Sequence, residues 1–201
     1  LHGQENFVMQ YITEMFPEDI EFDRSKIKVA NIDIEVQSDD GFPEPDEAKY
    51  PIISIALKFS TEDFYRVWGL GDYDVSNKLI DKDVQYRKCD SEQELLSHFI
   101  TAWAFEHPDI VTGWNTKFFD IPYICHRATK VCSEAMMKRL SPWNAVSKGE
   151  IFVAGKGLLV YTIQGVSQLD YIDLYKKFGF QGVQESYKLD HIAHVTLGEN
   201  K

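Results

Sequence analysis

Short stretches of apolar residues along the chain predict a series of β-strands. Each is rich in β-branched or aromatic residues and is bounded by turn-forming residues. The predicted strands cover Lys28–Val36, Pro51–Phe59, Asp63–Gly69, Asp109–Trp114 and Val166–Tyr171. Two more apolar segments, Ile151–Val153 and Leu158–Ile163, flank Gly155-Lys156-Gly157, and this pattern predicts a β-hairpin.

Other segments repeat their apolar residues at helical spacing. The clearest begins at Ser91, which with Glu94 three residues later forms a capping-box pattern. Predicted helices cover residues 5–16, Ser91–Glu106, Phe118–Leu140, Ile172–Phe178 and Ser186–Leu197. Residues 37–51 are predicted to form a loop, and residues 70–90 are polar and irregular in pattern. Because strands come first and then alternate with helices, we expect an α/β domain with a mixed sheet.

The composition is that of one globular domain. The chain has 201 residues, of which 44% are hydrophobic, enough for one substantial core. No apolar run approaches about 18 residues, so a membrane span is not expected. The three cysteines form no CxxC pair, which favours reduced thiols over a disulfide framework or a structural zinc site.

The charge is strongly acidic, with 32 Asp and Glu against 21 Lys and Arg. A net charge of −11 argues against binding of nucleic acid through a broad basic surface. It does not exclude an enzyme that surrounds divalent metal ions with carboxylates. The C-terminal third carries a net positive charge and is the side more receptive to a polyanion.

The tripeptide Asp33-Ile34-Glu35 interrupts an otherwise apolar strand. Because side chains alternate along a strand, Asp33 and Glu35 share one face, with Cα atoms roughly 6.6 Å apart. Two such carboxylates repel each other, and a hard divalent cation such as Mg²⁺ would relieve that repulsion. The alternative is an ordinary amphipathic strand whose acidic face lies in solvent.

Asp120 is the third candidate carboxylate, because it follows the strand Asp109–Trp114 and opens the next helix. Open α/β sheets place their sites beyond the carboxyl ends of strands. The alternative is a helix residue that only favours the macrodipole. The chain contains no HExxH, GxSxG, GxxxxGK[ST] or GxGxxG pattern, so other common site types have no support.

Taken in order, these motifs resemble the exonuclease domain of family B DNA polymerases. Asp33-Ile34-Glu35 matches the first exonuclease motif, and GWNTKFFDIPY at residues 113–123 matches the second. LDYIDLYKK at residues 169–177 and SYKL at residues 186–189 follow in the expected order. GFPEPDEAKY at residues 41–50 and RLSP at residues 139–142 are most similar to the T-even bacteriophage replicative polymerases.

The resemblance implies an RNase H-like mixed sheet flanked by helices, with an inserted β-hairpin, and 3′→5′ proofreading activity. It implies two Mg²⁺ or Mn²⁺ ions held by four carboxylates, in a mechanism that needs them about 3.5–4 Å apart. Asp33 would bridge both ions, Glu35 would bind the ion that activates water, and Asp120 would hold the second ion.

The fourth carboxylate of the family lies in a Tyr-x-x-x-Asp motif, and no match follows Ser186. We therefore expect that the chain ends before this third exonuclease motif. A chain with three of the four carboxylates is expected to bind one divalent ion, or none tightly, and to cleave poorly.

The resemblance also implies a substrate, the 3′ end of single-stranded or frayed DNA, and a polymerase domain in the same parent chain. Asn115 is a candidate to hydrogen-bond the terminal nucleotide. Phe119 either packs in the core or contacts a base, and the same two roles stay open for Tyr123. Lys156, in the hairpin, either meets a phosphate or lies in an ordinary solvated turn. A viral replication protein of this kind would act in the host cytoplasm.

Residues 1–27 are expected to form a helical lead-in, and residues 28–201 the exonuclease domain. Two other functions remain open. One is a non-catalytic RNase H-like module that binds DNA or a protein partner, which the missing fourth carboxylate favours. The other is a stand-alone exonuclease that acts on RNA ends, against which the phage-like residues 41–50 and 169–177 count.

Overall fold

The computed structural model describes residues 7–19, 21–38, 41–74, 83–153, 155–179 and 182–198. Its strands are β1 (Val29–Val36), β2 (Ile52–Phe59), β3 (Phe64–Gly69), β4 (Asp83–Lys88), β5 (Ile110–Gly113), β6 (Val146–Val153), β7 (Lys156–Ile163) and β8 (Ser167–Asp170). Its α-helices are α1 (Phe7–Met15), α2 (Glu92–Glu106), α3 (Asp120–Val131), α4 (Glu134–Lys138), α5 (Tyr171–Phe178) and α6 (Leu189–Leu197). None of the helices in these ranges is long and apolar enough to cross a bilayer.

The strands form one mixed sheet and a separate hairpin. The sheet has six strands in the order β4-β3-β2-β1-β5-β8. Strand β2 is antiparallel to both β1 and β3, whereas β5 is parallel to β1 and β8. Strands β6 and β7 pair with each other as a hairpin between α4 and β8. The predicted α/β architecture with an inserted hairpin is therefore confirmed.

One face of the sheet carries the hydrophobic core, beneath helices α2 and α3. Along β1 the alternation is strict: Ile32 and Ile34 are buried, whereas Asp33 and Glu35 are exposed on the opposite face. The apolar face predicted for the Ser91–Glu106 helix is buried as expected. The sheet thus has an apolar face for stability and an open face on which the acidic residues of β1 lie.

Strand β4 is an element that the sequence pattern did not predict. It pairs in parallel with β3 and falls within the stretch 70–90, which was predicted to be irregular; residues 75–82 of that stretch lie outside the described residues. Its residues DVQYRK are mostly polar because it is an edge strand, buried by one neighbour only. Val84 and Tyr86 alternate with polar residues, but two apolar positions are too few for the pattern to predict a strand.

The long helix predicted over Phe118–Leu140 is instead two helices. Helix α3 ends at Val131, and the hydroxyl of Ser133 then accepts a hydrogen bond from the backbone N–H of Met136 to begin α4. Side-chain capping of this kind stabilises the start of a helix by about 1 kcal/mol. The apolar periodicity continues across the break, so it did not reveal the break.

The hairpin turn lies one residue earlier than predicted. Val153 pairs with Lys156, so Lys156 is the first residue of β7 and not the centre of the turn. Gly155 has a φ of +81°, a left-handed conformation that suits glycine. The predicted helix at residues 5–16 is present as α1, but none of its residues is buried, so its apolar side chains lie on the surface.

A buried ion pair joins helices α2 and α3 near the start of β2. Glu92 and Arg127 form a bidentate pair, and both side chains are about nine-tenths buried. Oε1 of Glu92 also accepts a hydrogen bond from the backbone N–H of Ile52, at 2.8 Å. Arg127 Nη1 donates to the carbonyl of Ala48. The pair therefore fixes α3, α2, the start of β2 and the preceding loop to one another.

We expect Arg127→Met to destabilise the protein by about 3–5 kcal/mol, because it leaves the Glu92 carboxylate buried without its partner. The matched control is Lys138→Met, which removes an exposed partner of Glu134 one turn away and should cost less than about 0.5 kcal/mol. Urea unfolding of both variants measures the difference. Equal losses in the two variants would contradict a structural role for the buried pair.

Candidate active site

Asp33 and Glu35 lie on the open face of β1 where the neighbouring strand on one side ends. Asp33 stands opposite Ala56 of β2, and Glu35 opposite Ser54. On the other side, pairing with β5 stops at Asn31. Beyond that point, the backbone of β1 is available to groups that follow the carboxyl end of β5.

Asp120 supplies that group. It is the first residue of α3, its side chain is only 3% exposed, and its Oδ1 accepts a hydrogen bond of 3.1 Å from the backbone N–H of Ile34. Ile34 lies between Asp33 and Glu35. One hydrogen bond thus brings the second acidic segment against the first.

Gly113 makes this close approach possible at the end of β5. A Cβ atom on Gly113 would lie 2.4 Å from the carbonyl oxygen of Ile32 and 2.5 Å from Cγ2 of Thr116. Both distances are too short for any side chain. The absence of a side chain lets the chain turn from β5 toward α3 directly against β1.

The electrostatics of the site are unfavourable to a third negative charge. Burial, and then the charge of Asp33, raise the pKa of the Asp120 carboxyl from 3.8 to about 8. Asp170 adds a smaller effect in the same direction. A carboxyl that is costly to ionise beside other carboxylates is typical of a site built for chemistry and not for stability.

The donors fit a divalent cation in kind, but they do not form a closed cluster. All are carboxylate oxygens, which hard cations prefer, and a cation would favour the ionised forms of Asp33 and Asp120. In the described part of the chain, no three His, Cys, Asp or Glu side chains are grouped so as to hold a metal ion.

Asp170 is a site residue that the sequence reasoning missed. It ends β8, is buried, and its two carboxylate oxygens accept hydrogen bonds from the backbone N–H groups of Asn115, Lys117 and Ile172. It thereby caps α5 and fixes the turn that leads to Asp120. The available signal was its position, an acid between a strand and a helix, which is the same position that pointed to Asp120.

Asn115 holds the turn between β5 and α3. Its φ of +66° is left-handed, and its carbonyl accepts hydrogen bonds from the backbone N–H groups of Phe118 and Phe119. Asparagine tolerates this conformation better than most residues. The backbone of Asn115 therefore has a structural role whatever its side chain contacts.

Three aromatic side chains meet beside this turn. Phe119 packs against Phe42, with ring centroids 5.1 Å apart, and against Tyr123 at 5.5 Å. Phe119 is half-buried, whereas Phe42, in the loop after β1, is 70% exposed. An exposed aromatic ring next to acidic residues forms a surface on which a base could stack.

Tyr123 is placed in the core and not at the surface. It is 0% exposed, and its hydroxyl donates to the carbonyl of Tyr50 and accepts from the N–H of the same residue. Tyr123 therefore packs in the core, and its ring is not exposed for contact with a base. Lys156 is exposed at the end of the hairpin, where it pairs with Val153.

A shallow hollow of about 310 Å³ lies on the open face beside Asp33. Its lining includes Asn31, which is two residues before Asp33 on the same face of β1, together with Lys58 and Tyr171. Glu62 and Asp63 also line the hollow, so its charged groups are one cation and two carboxylates, and its charge does not favour an anionic group.

Comparison with known proteins identifies the family. The model for the exonuclease domain of family B DNA polymerases matches residues 8–192. The chain belongs to this family. It is 38% identical to the DNA-directed DNA polymerase of Escherichia phage RB69 and 35% identical to that of Enterobacteria phage T4, in each case over 99% of the chain. It is 31% identical to DNA polymerase 1 of Sulfurisphaera ohwakuensis over 87% of the chain.

The chain spans about a quarter of the length of the phage polymerases, 24% in each case, and 19% of the archaeal one. The six-stranded mixed sheet flanked by helices is that of an RNase H-like exonuclease domain, as the motifs implied. Proofreading is the general function of such domains. The recognition from a few short motifs is thereby confirmed.

We expect Asp120→Asn to stabilise the protein increasingly as the pH rises from about 4 to about 8. In that window the folded state holds a proton that the unfolded state has lost, so the stability of the wild-type protein falls by at most about 1.4 kcal/mol per pH unit. Asparagine keeps the oxygen that accepts from Ile34 but does not ionise. Thermal unfolding of both proteins at pH 4.5, 6 and 8 measures the difference, and parallel curves would contradict the raised pKa.

Proposed function

We propose that this domain hydrolyses the 3′-terminal phosphodiester of single-stranded or frayed DNA, as the proofreading part of a DNA polymerase polypeptide. The observation that carries the proposal is the hydrogen bond from Ile34 to Asp120, because it joins the two acidic segments of the family pattern at one place. At this place the charge of Asp33 raises the pKa of the Asp120 carboxyl, because the two carboxyl groups are near each other.

Asp33, Glu35 and Asp120 would hold Mg²⁺ or Mn²⁺. A bound divalent ion would neutralise negative charge on the phosphate and would lower the pKa of a water molecule bound to it. Two ions are expected in the intact polymerase. With three of the four carboxylates, residues 28–201 alone are expected to hold one ion weakly, or none, and to cleave slowly. Residues 1–27 would serve as a lead-in, consistent with the exposure of α1.

The remaining residues would bind and orient the DNA strand. Phe42 and Phe119 would offer an aromatic surface for the terminal bases, and Asn115, whose backbone N–H donates to Asp170, would hydrogen-bond the terminal nucleotide. Lys156, which is exposed on the hairpin, would contact a phosphate of the strand. A protein with this role would act where the DNA is replicated, which for a phage is the host cytoplasm.

A non-catalytic module that binds DNA or a protein partner is the second candidate. It is favoured by the finding that the described residues contain no ready-made group of three metal ligands. Titration with Mn²⁺, followed by calorimetry, separates the two functions. Mn²⁺ binding that is lost in Asp33→Asn supports the nuclease, and Mn²⁺ binding that is the same in wild type and Asp33→Asn supports the module.

We expect the double variant Asp33→Ala, Glu35→Ala to lose at least about 100-fold in exonuclease rate with Mg²⁺, because it removes two of the charges that hold the ions. The rate is measured on 3′-labelled single-stranded DNA with the polymerase polypeptide that carries this domain. Retention of the wild-type rate would refute the assigned roles.

The chain contains its own matched control. The same tripeptide, Asp-Ile-Glu, occurs at residues 19–21, where Asp19 and Glu21 are exposed and lie outside the sheet. The double variant Asp19→Ala, Glu21→Ala makes the identical chemical change and should leave the exonuclease rate within about twofold of wild type, as expected of surface substitutions.

We expect Phe42→Ala to raise the KM for single-stranded DNA by roughly five- to 100-fold, because stacking on an aromatic ring contributes about 1–3 kcal/mol per base. The control is Phe105→Ala on α2, since Phe105 is 86% exposed and far along the chain from the site. Initial rates over a range of oligonucleotide concentrations measure both. A similar KM in the two variants would mean that Phe42 does not contact the substrate.

A further inference from the structure

His126, on α3, contacts three separate segments of the protein. Its Nδ1 lies 2.7 Å from the carbonyl oxygen of Pro45, in the loop that carries Phe42. Its Nε2 lies 3.4 Å from Nζ of Lys148 on β6, and its ring packs edge-on against Tyr161 of β7, with centroids 5.6 Å apart. Helix α3, the loop that carries Phe42 and the β6–β7 hairpin thus all contact the imidazole of His126.

The two contacts indicate which tautomer of the imidazole satisfies both of its partners. A carbonyl oxygen only accepts, so Nδ1 carries the hydrogen that it donates to Pro45. The ammonium group of Lys148 only donates, so Nε2 accepts and carries no hydrogen. Both hydrogen bonds are therefore made by the neutral ring. Protonation would remove the acceptor at Nε2 and place a positive charge next to Lys148.

The hairpin meets His126 through a cross-strand pair. Lys148 and Tyr161 stand directly opposite each other in the β6–β7 register, as the third pair when Val146–Ile163 at the base is the first. The base is held by other groups: Ser141 donates to the carbonyl of Gln164, next to the hairpin, and this bond does not involve His126. The imidazole therefore acts on the body of the hairpin and not on its attachment.

The loop that His126 contacts is also held independently. Arg127 and Tyr123, on the same face of α3, bind the backbone of this loop at Ala48 and Tyr50. Loss of the His126 contact should thus leave the loop and α3 in place. The hairpin has further contacts as well, because Tyr161 is buried and its carbonyl accepts a hydrogen bond of 2.6 Å from Nε2 of Gln168. Loss of the His126 contact should therefore weaken one of several points at which the hairpin is held.

We propose that His126 is a positioning residue, whose neutral imidazole holds the β6–β7 hairpin against α3 and the Phe42 loop, so that acidification releases the hairpin. The charged and titratable groups around the ring are Lys148 of β6, Tyr161 of β7 and, in the loop, Asp46, whose charge acts on Tyr161. The consequence for substrate rests on the proposed nuclease function: a released hairpin guides the DNA end less well.

Hydrogen exchange of the hairpin amides tests the structural part without any activity. In the wild-type chain, protection of residues 146–153 and 156–163, corrected for intrinsic rates, should fall by roughly two- to tenfold between pH 7.5 and pH 5.5, the effect of one lost hydrogen bond. Histidine is the side chain that changes charge in this range. Protection of α2 should not change.

Two variants separate His126 from other causes. His126→Phe keeps a ring against Tyr161 but loses both hydrogen bonds, so its hairpin should exchange fast at both pH values. Lys148→Met removes the donor and the like charge, so its pH difference should shrink. The control, His194→Phe, changes an exposed histidine on α6 and should behave as wild type. A pH difference that persists in His126→Phe overturns the proposal.

The activity arm uses the polymerase polypeptide that carries this domain. His126→Phe should lower the exonuclease rate on a mismatched primer–template by about two- to tenfold relative to the rate on single-stranded DNA, as expected for one lost hydrogen bond. An unchanged ratio overturns the role in guiding DNA. A wild-type polypeptide without exonuclease activity contradicts the proposed function, whereas the exchange result would still decide the anchoring of the hairpin.

Discussion

The hydrogen bond from the backbone of Ile34 to the carboxylate of Asp120 is the constraint on which the site depends. It is possible only because β5 stops pairing with β1 before Ile34 and because Gly113 has no side chain to block the approach. The bond places a buried acid next to two exposed ones. The cost appears in the pKa of Asp120, which burial and Asp33 raise to about 8.

A protein keeps such an unfavourable arrangement only when the surrounding structure is rigid. Here Asp170 fixes the turn before α3 through backbone N–H groups on both sides of it. The buried pair of Glu92 and Arg127 fixes the other end of the same helix. Helix α3 is therefore held at both ends, so Asp120 cannot move away from Asp33 to relieve their repulsion.

The same helix connects the acidic residues to the segments that would handle a DNA strand. Tyr123, His126 and Arg127 follow Asp120 along α3 and contact the loop after β1. His126 adds the hairpin. The loop that carries Phe42, the hairpin and the carboxylate of Asp120 thus all contact or belong to one helix, whereas Asp33 and Glu35 lie on β1.

The sequence by itself determined the elements whose signals are local. The alternation along β1, the capped and amphipathic α2 and the ordered exonuclease motifs could all be read without a structure, and they led to the correct family. Only the tertiary structure decided the edge strand β4, the role of Asp170, the burial of Tyr123 and the pairing of Phe42 with Phe119. Each of these depends on partners that are distant along the chain or on which side of the sheet is covered, and a one-dimensional pattern does not contain that information.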